Sequence, residues 1–264
     1  MKPIVYVTGC TGFIGKHLVE AMTGRFEVIC ISHDEIETFT YNNFHTFFYL
    51  SSYGNHYQQK DLAETYNANV HQLFTTLLKL GTLDFRNFIH ISTSSISIDE
   101  QTMYSATKHA GELLVSQMAK QLKKRLFSVR PYSIFGEGEA EFRFIPMMVH
   151  KLVKGEQPLL VPEPIHDWVY ICDFIDALQF LMHKDITPDK PVEIGTGVPR
   201  SNLEVFDDIC NFLGKSPNYK TLTTLRNYDN PDWYLKEPEP ALLDWEPSYG
   251  YHDGLRRTVN YYAK

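Results

Sequence analysis

The stretch Thr8-Gly9-Cys10-Thr11-Gly12-Phe13-Ile14-Gly15 constrains this chain more than any other. It follows the apolar run Ile4-Val5-Tyr6-Val7, which suits a buried strand. It opens into His17–Met22, which reads as a helix. Glycines between a strand and a helix are what a dinucleotide-binding turn needs. Gly9 permits the tight turn, Gly12 leaves room for a pyrophosphate against the backbone, and Gly15 lets helix and strand pack closely. Thr11 belongs to the same cofactor-facing set. The N–H groups of Phe13 and Ile14 would point at phosphates, aided by the helix dipole. The spacing is G-x-x-G-x-x-G, which ordinary turns can also use. The strand-turn-helix setting favours nucleotide binding.

Composition narrows the rest. The chain has 264 residues, 43% hydrophobic and 22% charged, which is a globular balance with enough length to bury a sizeable core. A formal net charge of −7 disfavours nucleic acid as a partner. No apolar run approaches bilayer length, and the first strand begins too early for a signal peptide. A cytoplasmic protein without a membrane partner is expected. Cys10, Cys30, Cys172 and Cys210 are scattered without metal-ligand spacing, so no metal is expected and the thiols are expected to be reduced.

Along the chain, Glu27–Ser32 reads as a second strand, and Asp34 stands near its end, where an acidic residue would hold the ribose hydroxyls of NAD. Ser32 and His33 leave NADP open, although no arginine is near to balance a 2′-phosphate. Thr46–Leu50 is the next strand, followed by Ser51, and the short segment before it cannot hold a helix–strand–helix insertion. Leu62–Leu80 has helical spacing and carries Asn69. Asn87–Ile91 is a strand with Ser92-Thr93-Ser94-Ser95 at its carboxyl end, where ligands sit in open α/β sheets. Tyr104 and Lys108, four residues apart, share one helix face. A nearby ammonium favours the phenolate, and a tyrosine so tuned can take up or return a proton.

Taken in order, Thr8–Gly15, Asn69, Ser92-Thr93 and Tyr104–Lys108 resemble the short-chain dehydrogenases/reductases. More narrowly, they resemble the extended branch of NAD-dependent sugar epimerases and dehydratases. Leu126–Gly136, His166–Asp173, Glu193–Gly197, Leu243–Pro247 and Gly254–Thr258 extend the resemblance over nearly the whole chain. It implies a Rossmann-type, doubly wound parallel α/β sheet over residues 1–135, with 165–197 returning to it, and a smaller loop-rich substrate lobe over 136–264. It also implies NAD as cofactor, a nucleotide sugar or related carbinol as substrate, and a homodimer through the helices bearing Asn69 and Tyr104. Tyr104 matches the acid/base, Lys108 the lysine that holds the nicotinamide ribose, Thr93 the hydroxyl on the reacting oxygen, and Asn69 an asparagine that orders the site. Ser51 and Pro131 would border the cofactor. Ser94, Ser133 and His166 would meet substrate.

Some positions depart from the family pattern. The segment before Thr46 and the 11-residue step from Thr93 to Tyr104 are both short. His166 stands where an arginine commonly meets a phosphate, and a histidine lacks the bidentate fork. Arg143 could supply that charge or simply face solvent. Dehydratases of the family carry an acidic pair after the threonine; Ser94 and Ser95 stand there and disfavour dehydration. Tyr228, Trp233, Tyr234, Trp245 and Tyr249 could stack on a sugar or base, or pack the lobe. The alternative to an enzyme is a non-catalytic dinucleotide-binding sensor or scaffold on the same fold.

Overall fold

β1 (Ile4–Thr8) is buried from Val5 onward, as suits a central parallel strand. The computed structural model describes residues 2–55, 58–98, 102–222 and 232–264. After β1 come α1 (Phe13–Met22), β2 (Glu27–Ile31), β3 (Phe44–Tyr49), α2 (Leu62–Tyr66), a π-helical turn (Asn67–His71) and α3 (Gln72–Lys79). β4 (Phe85–Ile91), α4 (Met103–Leu122) and β5 (Leu126–Pro131) complete this stretch. β1 pairs in parallel with β2 and β3, β3 with β4, and β4 with β5. The sheet order places β2 at one edge. Residues 32–43 cross from β2 to β3 with only a 3-10 turn, His33–Glu35, and among the described residues no further strand covers that edge. Against one face of the sheet pack Leu73 and Leu77 of α3 and Val115 and Met118 of α4. Tyr6 sits among Phe39, Tyr41 and Phe44, with ring centroids 5.4 to 5.7 Å away.

The chain then forms β6 (Ser133–Phe135), α5 (Phe144–Val153), β7 (Leu159–Leu160), β8 (Ile165–Tyr170) and α6 (Ile171–His183). β9 (Val192–Ile194) returns to the first sheet beside β5. β10 (Pro199–Ser201), α7 (Asn202–Leu213), β11 (Lys220–Thr221) and α8 (Gly250–Tyr262) follow. Two units result: Met1–Pro131 with Gln179–Glu193, and Tyr132–Leu178 with Ile194–Lys264. In the second, β8 lies between antiparallel β10 and parallel β6. Ser201 and Glu204 form a capping box that starts α7. The Asp173 carboxylate accepts the Tyr249 and Gly250 amides, both at 2.9 Å, which satisfies the start of α8. Among the described residues no helix is long and apolar enough to cross a membrane.

The cysteine expectation is corrected in part. Cys10 and Cys30 form a disulfide with Cα atoms 6.0 Å apart, while Cys172 and Cys210 are free. Strand register is the reason. Parallel pairing sets Val7 beside Cys30, and the turn after β1 folds back so that Cys10 reaches the same place. Spacing along the chain carries no trace of this, because the two residues meet through the sheet.

Candidate active site

The glycine turn forms from what its residues lack. Gly9 sits at φ +70°, a region that side chains disfavour, and an added Cβ there would lie 3.1 to 3.3 Å from Leu50 and Ser51. A Cβ on Gly15 would come within 2.1 Å of the Gly9 carbonyl oxygen. At Gly12 an added Cβ would meet only the Gly9 oxygen within 4 Å, so the outer side of the turn is open. Gly12 is the N-cap of α1, no side chain caps it, and the first turn holds no acidic residue. The first amides of α1, Phe13 and Ile14 among them, therefore meet no carboxylate of their own helix. An open helix start of this kind could hold a pyrophosphate, with Thr11 in the same turn.

The loop after β3 runs beside this turn. Leu50 and Ser51 donate their amides to Thr8 Oγ1 at 3.0 and 3.1 Å. Asn69, buried in the π-helical turn, accepts the Tyr53 amide at 3.0 Å and donates to the Tyr53 carbonyl at 2.8 Å. The same Asn69 amide group reaches Thr107 Oγ1 of α4 at 2.9 Å. Thr107 in turn donates to the Met103 and Tyr104 carbonyls. A Cβ on Gly54 would lie 3.5 Å from Tyr104 Cβ. One asparagine thus ties the loop to the turn of helix that carries Tyr104. π-helical turns recur at such sites because they aim one side chain out of the regular ladder.

Thr93 caps the 3-10 turn Ser94–Ser97, accepting the Ser95 amide at 3.2 Å, and its Oγ1 lies 2.9 Å from Ser95 Oγ. That turn packs on α4. Ser94 is fully buried and donates to the Pro131 carbonyl at 2.7 Å, which joins the ends of β4 and β5. Lys108 is 1% exposed, and its Nζ is 3.2 Å from Nε2 of His90, near the carboxyl end of β4. Burial lowers Lys108 from the usual lysine range to about 7, with Glu112 acting in the opposite sense. Glu112 is held by Arg130 through a bidentate pair of 2.8 and 2.7 Å.

At the end of β2, Asp34 is exposed in the short turn that follows. Ser32 engages Glu35 through both its hydroxyl and its amide, and these bonds hold the Glu35 carboxyl below its usual range. His33 pairs with Glu64 at 3.0 Å. A shallow recess of about 580 Å³ lies elsewhere, lined by Lys2, Glu27, His45 and Arg86 among others near the amino ends of the strands, and holds none of these residues.

In the second unit, Ser133 Oγ lies 3.4 Å from His166 Nδ1. The His166 ring stands edge-on to Trp168 and Trp233, each at 5.3 Å. Among the described residues neither buried indole N–H has a hydrogen-bond partner. Arg200, opposite His166 in register, lays its guanidinium 3.9 Å from the Tyr251 ring. Arg143 lies 5.8 Å from the Phe142 ring and near Glu139, which burial raises to about 8. Tyr228 is outside the described residues. The residues that sequence reasoning missed are His90, Tyr53, Thr107 and Asp167. Asp167 is fully buried and accepts from Thr196, Gly197 and Leu235. The available signal for His90 was a polar residue between Ile89 and Ile91 in a strand buried on both faces, where it needs partners.

Residues 5–195 match the NAD dependent epimerase/dehydratase family. Among solved structures, a UDP-N-acetylglucosamine 4-epimerase from Methanobrevibacter ruminantium is similar at 17% identity, with a TM-score of 0.88 over 99% of both chains. A UDP-glucuronic acid 4-epimerase from Bacillus cereus, in complex with UDP-glucuronic acid and NAD, aligns at 19% identity with a TM-score of 0.82 over 98% of both chains. These likenesses establish the fold. Among curated relatives, a dTDP-glucose 4,6-dehydratase from Haemophilus influenzae is 27% identical over 60% of this chain and 51% of that protein. A trifunctional dehydratase, epimerase and reductase from Arabidopsis thaliana is 24% identical over 68% of this chain and 30% of its own length. The chain spans less than two thirds of these relatives.

Proposed function

The chain belongs to the NAD dependent epimerase/dehydratase family, and on that footing we propose that it is an NAD-dependent oxidoreductase or epimerase acting at a hydroxyl or carbonyl carbon of a sugar nucleotide. One observation carries this reading. The loop that touches the open glycine turn at Gly9 is the loop that Asn69 fastens beside Tyr104. A dinucleotide seated on the turn would extend along that loop toward the phenol. NAD, when bound, supplies the site that takes and returns hydride. Tyr104 removes the hydroxyl proton or gives it back, Lys108 supports the phenolate, and Thr93 Oγ1 orients the reacting oxygen.

Glu35 and Asp34 bring two carboxylates to the end of β2. They repel a 2′-phosphate and accept from free ribose hydroxyls, which supports NAD over NADP. A sugar nucleotide is supported by the family and by structural relatives described with UDP-sugars. Ser133 and His166 are the proposed contacts in the second unit. Ser94 and Ser95 in place of an acidic pair support epimerisation or reduction over dehydration. A homodimer is the proposed assembly. Leu62, Tyr66, Phe74 and Leu78, on the segment that carries Asn69, and Leu113 of α4 are exposed apolar side chains that such an assembly would cover.

The test combines NAD binding by calorimetry with turnover on a panel of UDP- and dTDP-sugars. Tyr104→Phe is expected to lower turnover by about 10³-fold, in the range for one acid/base group, and to leave NAD affinity unchanged. Full turnover in that variant removes Tyr104 from the reaction. NAD binding with no turnover of any sugar points to the sensor or scaffold alternative.

A further inference from the structure

The buried amine of Lys108 meets an imidazole, and the two partners of that imidazole fix which nitrogen does what. Lys108 lies one turn beyond Tyr104 on α4, its Nζ 3.2 Å from His90 Nε2. The other ring nitrogen, Nδ1, lies 3.0 Å from Ser128 Oγ in β5. When Lys108 is charged it can only donate, so in that state Nε2 carries the lone pair and Nδ1 the proton, which it donates to Ser128 Oγ. Burial holds His90 neutral, far below the ordinary histidine range, which is what an acceptor at Nε2 requires. The close approach of helix and strand depends on Gly111, where a Cβ would lie 3.2 Å from His90 Cε1 and 3.0 Å from Leu73.

We propose that His90 is the positioning residue for Lys108: through Nε2 it holds the lysine amine against β4, one helical turn from Tyr104, and favours its charged form, so that the amine is in place before cofactor and substrate arrive. This rests on the reading of Tyr104 and Lys108 as an acid/base and its supporting cation. The other titratable or charged groups carried beside the pair are Tyr49 on β3, with its ring 6.2 Å from His90, Tyr104 and Glu112 on α4, and Arg130 on β5. Glu112 is committed to Arg130 by two hydrogen bonds, so it acts on Lys108 through space only. The π-helical turn contributes Asn69, which does not titrate.

The sign follows from burial. An acceptor at Nε2 stabilises the charged amine; without it, Lys108 loses its proton at lower pH. The test uses the full chain labelled with [15N]lysine, with the Nζ resonance of Lys108 assigned by its loss in Lys108→Arg and followed against pH. The wild type is expected to titrate near neutrality. His90→Phe keeps the volume but not the acceptor, and should move the midpoint down by about one pH unit, a tenfold loss of proton affinity. His90→Gln offers an amide oxygen and should restore it. Should the phenylalanine variant not fold, Ser128→Ala serves instead: with no oxygen to receive the Nδ1 proton, the imidazole is no longer held in its tautomer, and the midpoint moves the same way. A midpoint unmoved in the variant that folds overturns the proposal. No substrate is involved, so this failure is distinct from failure of the enzyme reading, which the turnover of Tyr104→Phe decides.

Discussion

Gly15 shows how much one absent methyl group can decide. Its added Cβ would sit 2.1 Å from the Gly9 oxygen and 2.8 Å from Cys10 Cα, both backbone atoms that cannot rotate aside. Gly15→Ala is therefore expected to cost about 3 kcal/mol, the upper range for overpacking, and to abolish NAD binding. Gly24→Ala is the control: φ there is +94° with nothing within 4 Å, so the loss should be about 1 kcal/mol, from backbone conformation alone. Thermal unfolding with and without NAD separates the two. The same contrast explains what could be read from residue types. A turn that only glycine can make announces itself, and so does the Tyr104–Lys108 spacing on a helix face. The bond from Lys108 to His90 does not, because it joins α4 to β4 across 18 positions of sequence. Asp167 is similar: its four donors come from positions 29 to 68 residues away.

At the level of elements, the first strands were legible as apolar runs, the short segment before β3 as too short for an insertion, and the parallel sheet as what the family resemblance implied, while the strand order comes from the structure. The helix over residues 62–80 did not emerge as one regular piece. Its apolar spacing continues smoothly through Asn69, yet the backbone opens into a π-helical turn there. Bonds from Asn69 to Tyr53 and Thr107 accompany that opening, and neither partner is local. The Cys10–Cys30 link belongs to this scale too, since it fastens the turn after β1 to β2. Closing a loop of this length is worth about 3 kcal/mol in the chain-entropy account. Adding a thiol reductant is expected to lower the melting temperature of the wild type to that of Cys30→Ser, and to leave the variant itself unmoved. Equal melting with and without reductant would show that the bond contributes nothing.

For the whole molecule, assembly is the property most exposed to test. Leu62, Tyr66, Phe74 and Leu78 and, on α4, Leu113 are exposed apolar side chains, and the proposed assembly would cover them. Leu78→Glu combined with Leu113→Glu should convert a dimer to a monomer in light scattering, because a buried interface cannot hold two unpaired carboxylates. A wild type that is itself monomeric rejects the proposed assembly. A second consequence of the architecture concerns the sheet margin at β2. With no strand beyond it among the described residues, the purine of a seated dinucleotide would rest on an open rim with water on its outer side. Matrices that tether NAD through its N6 amine should then retain this protein as readily as free NAD elutes it, and a column that lets it pass would mean the base is walled in after all.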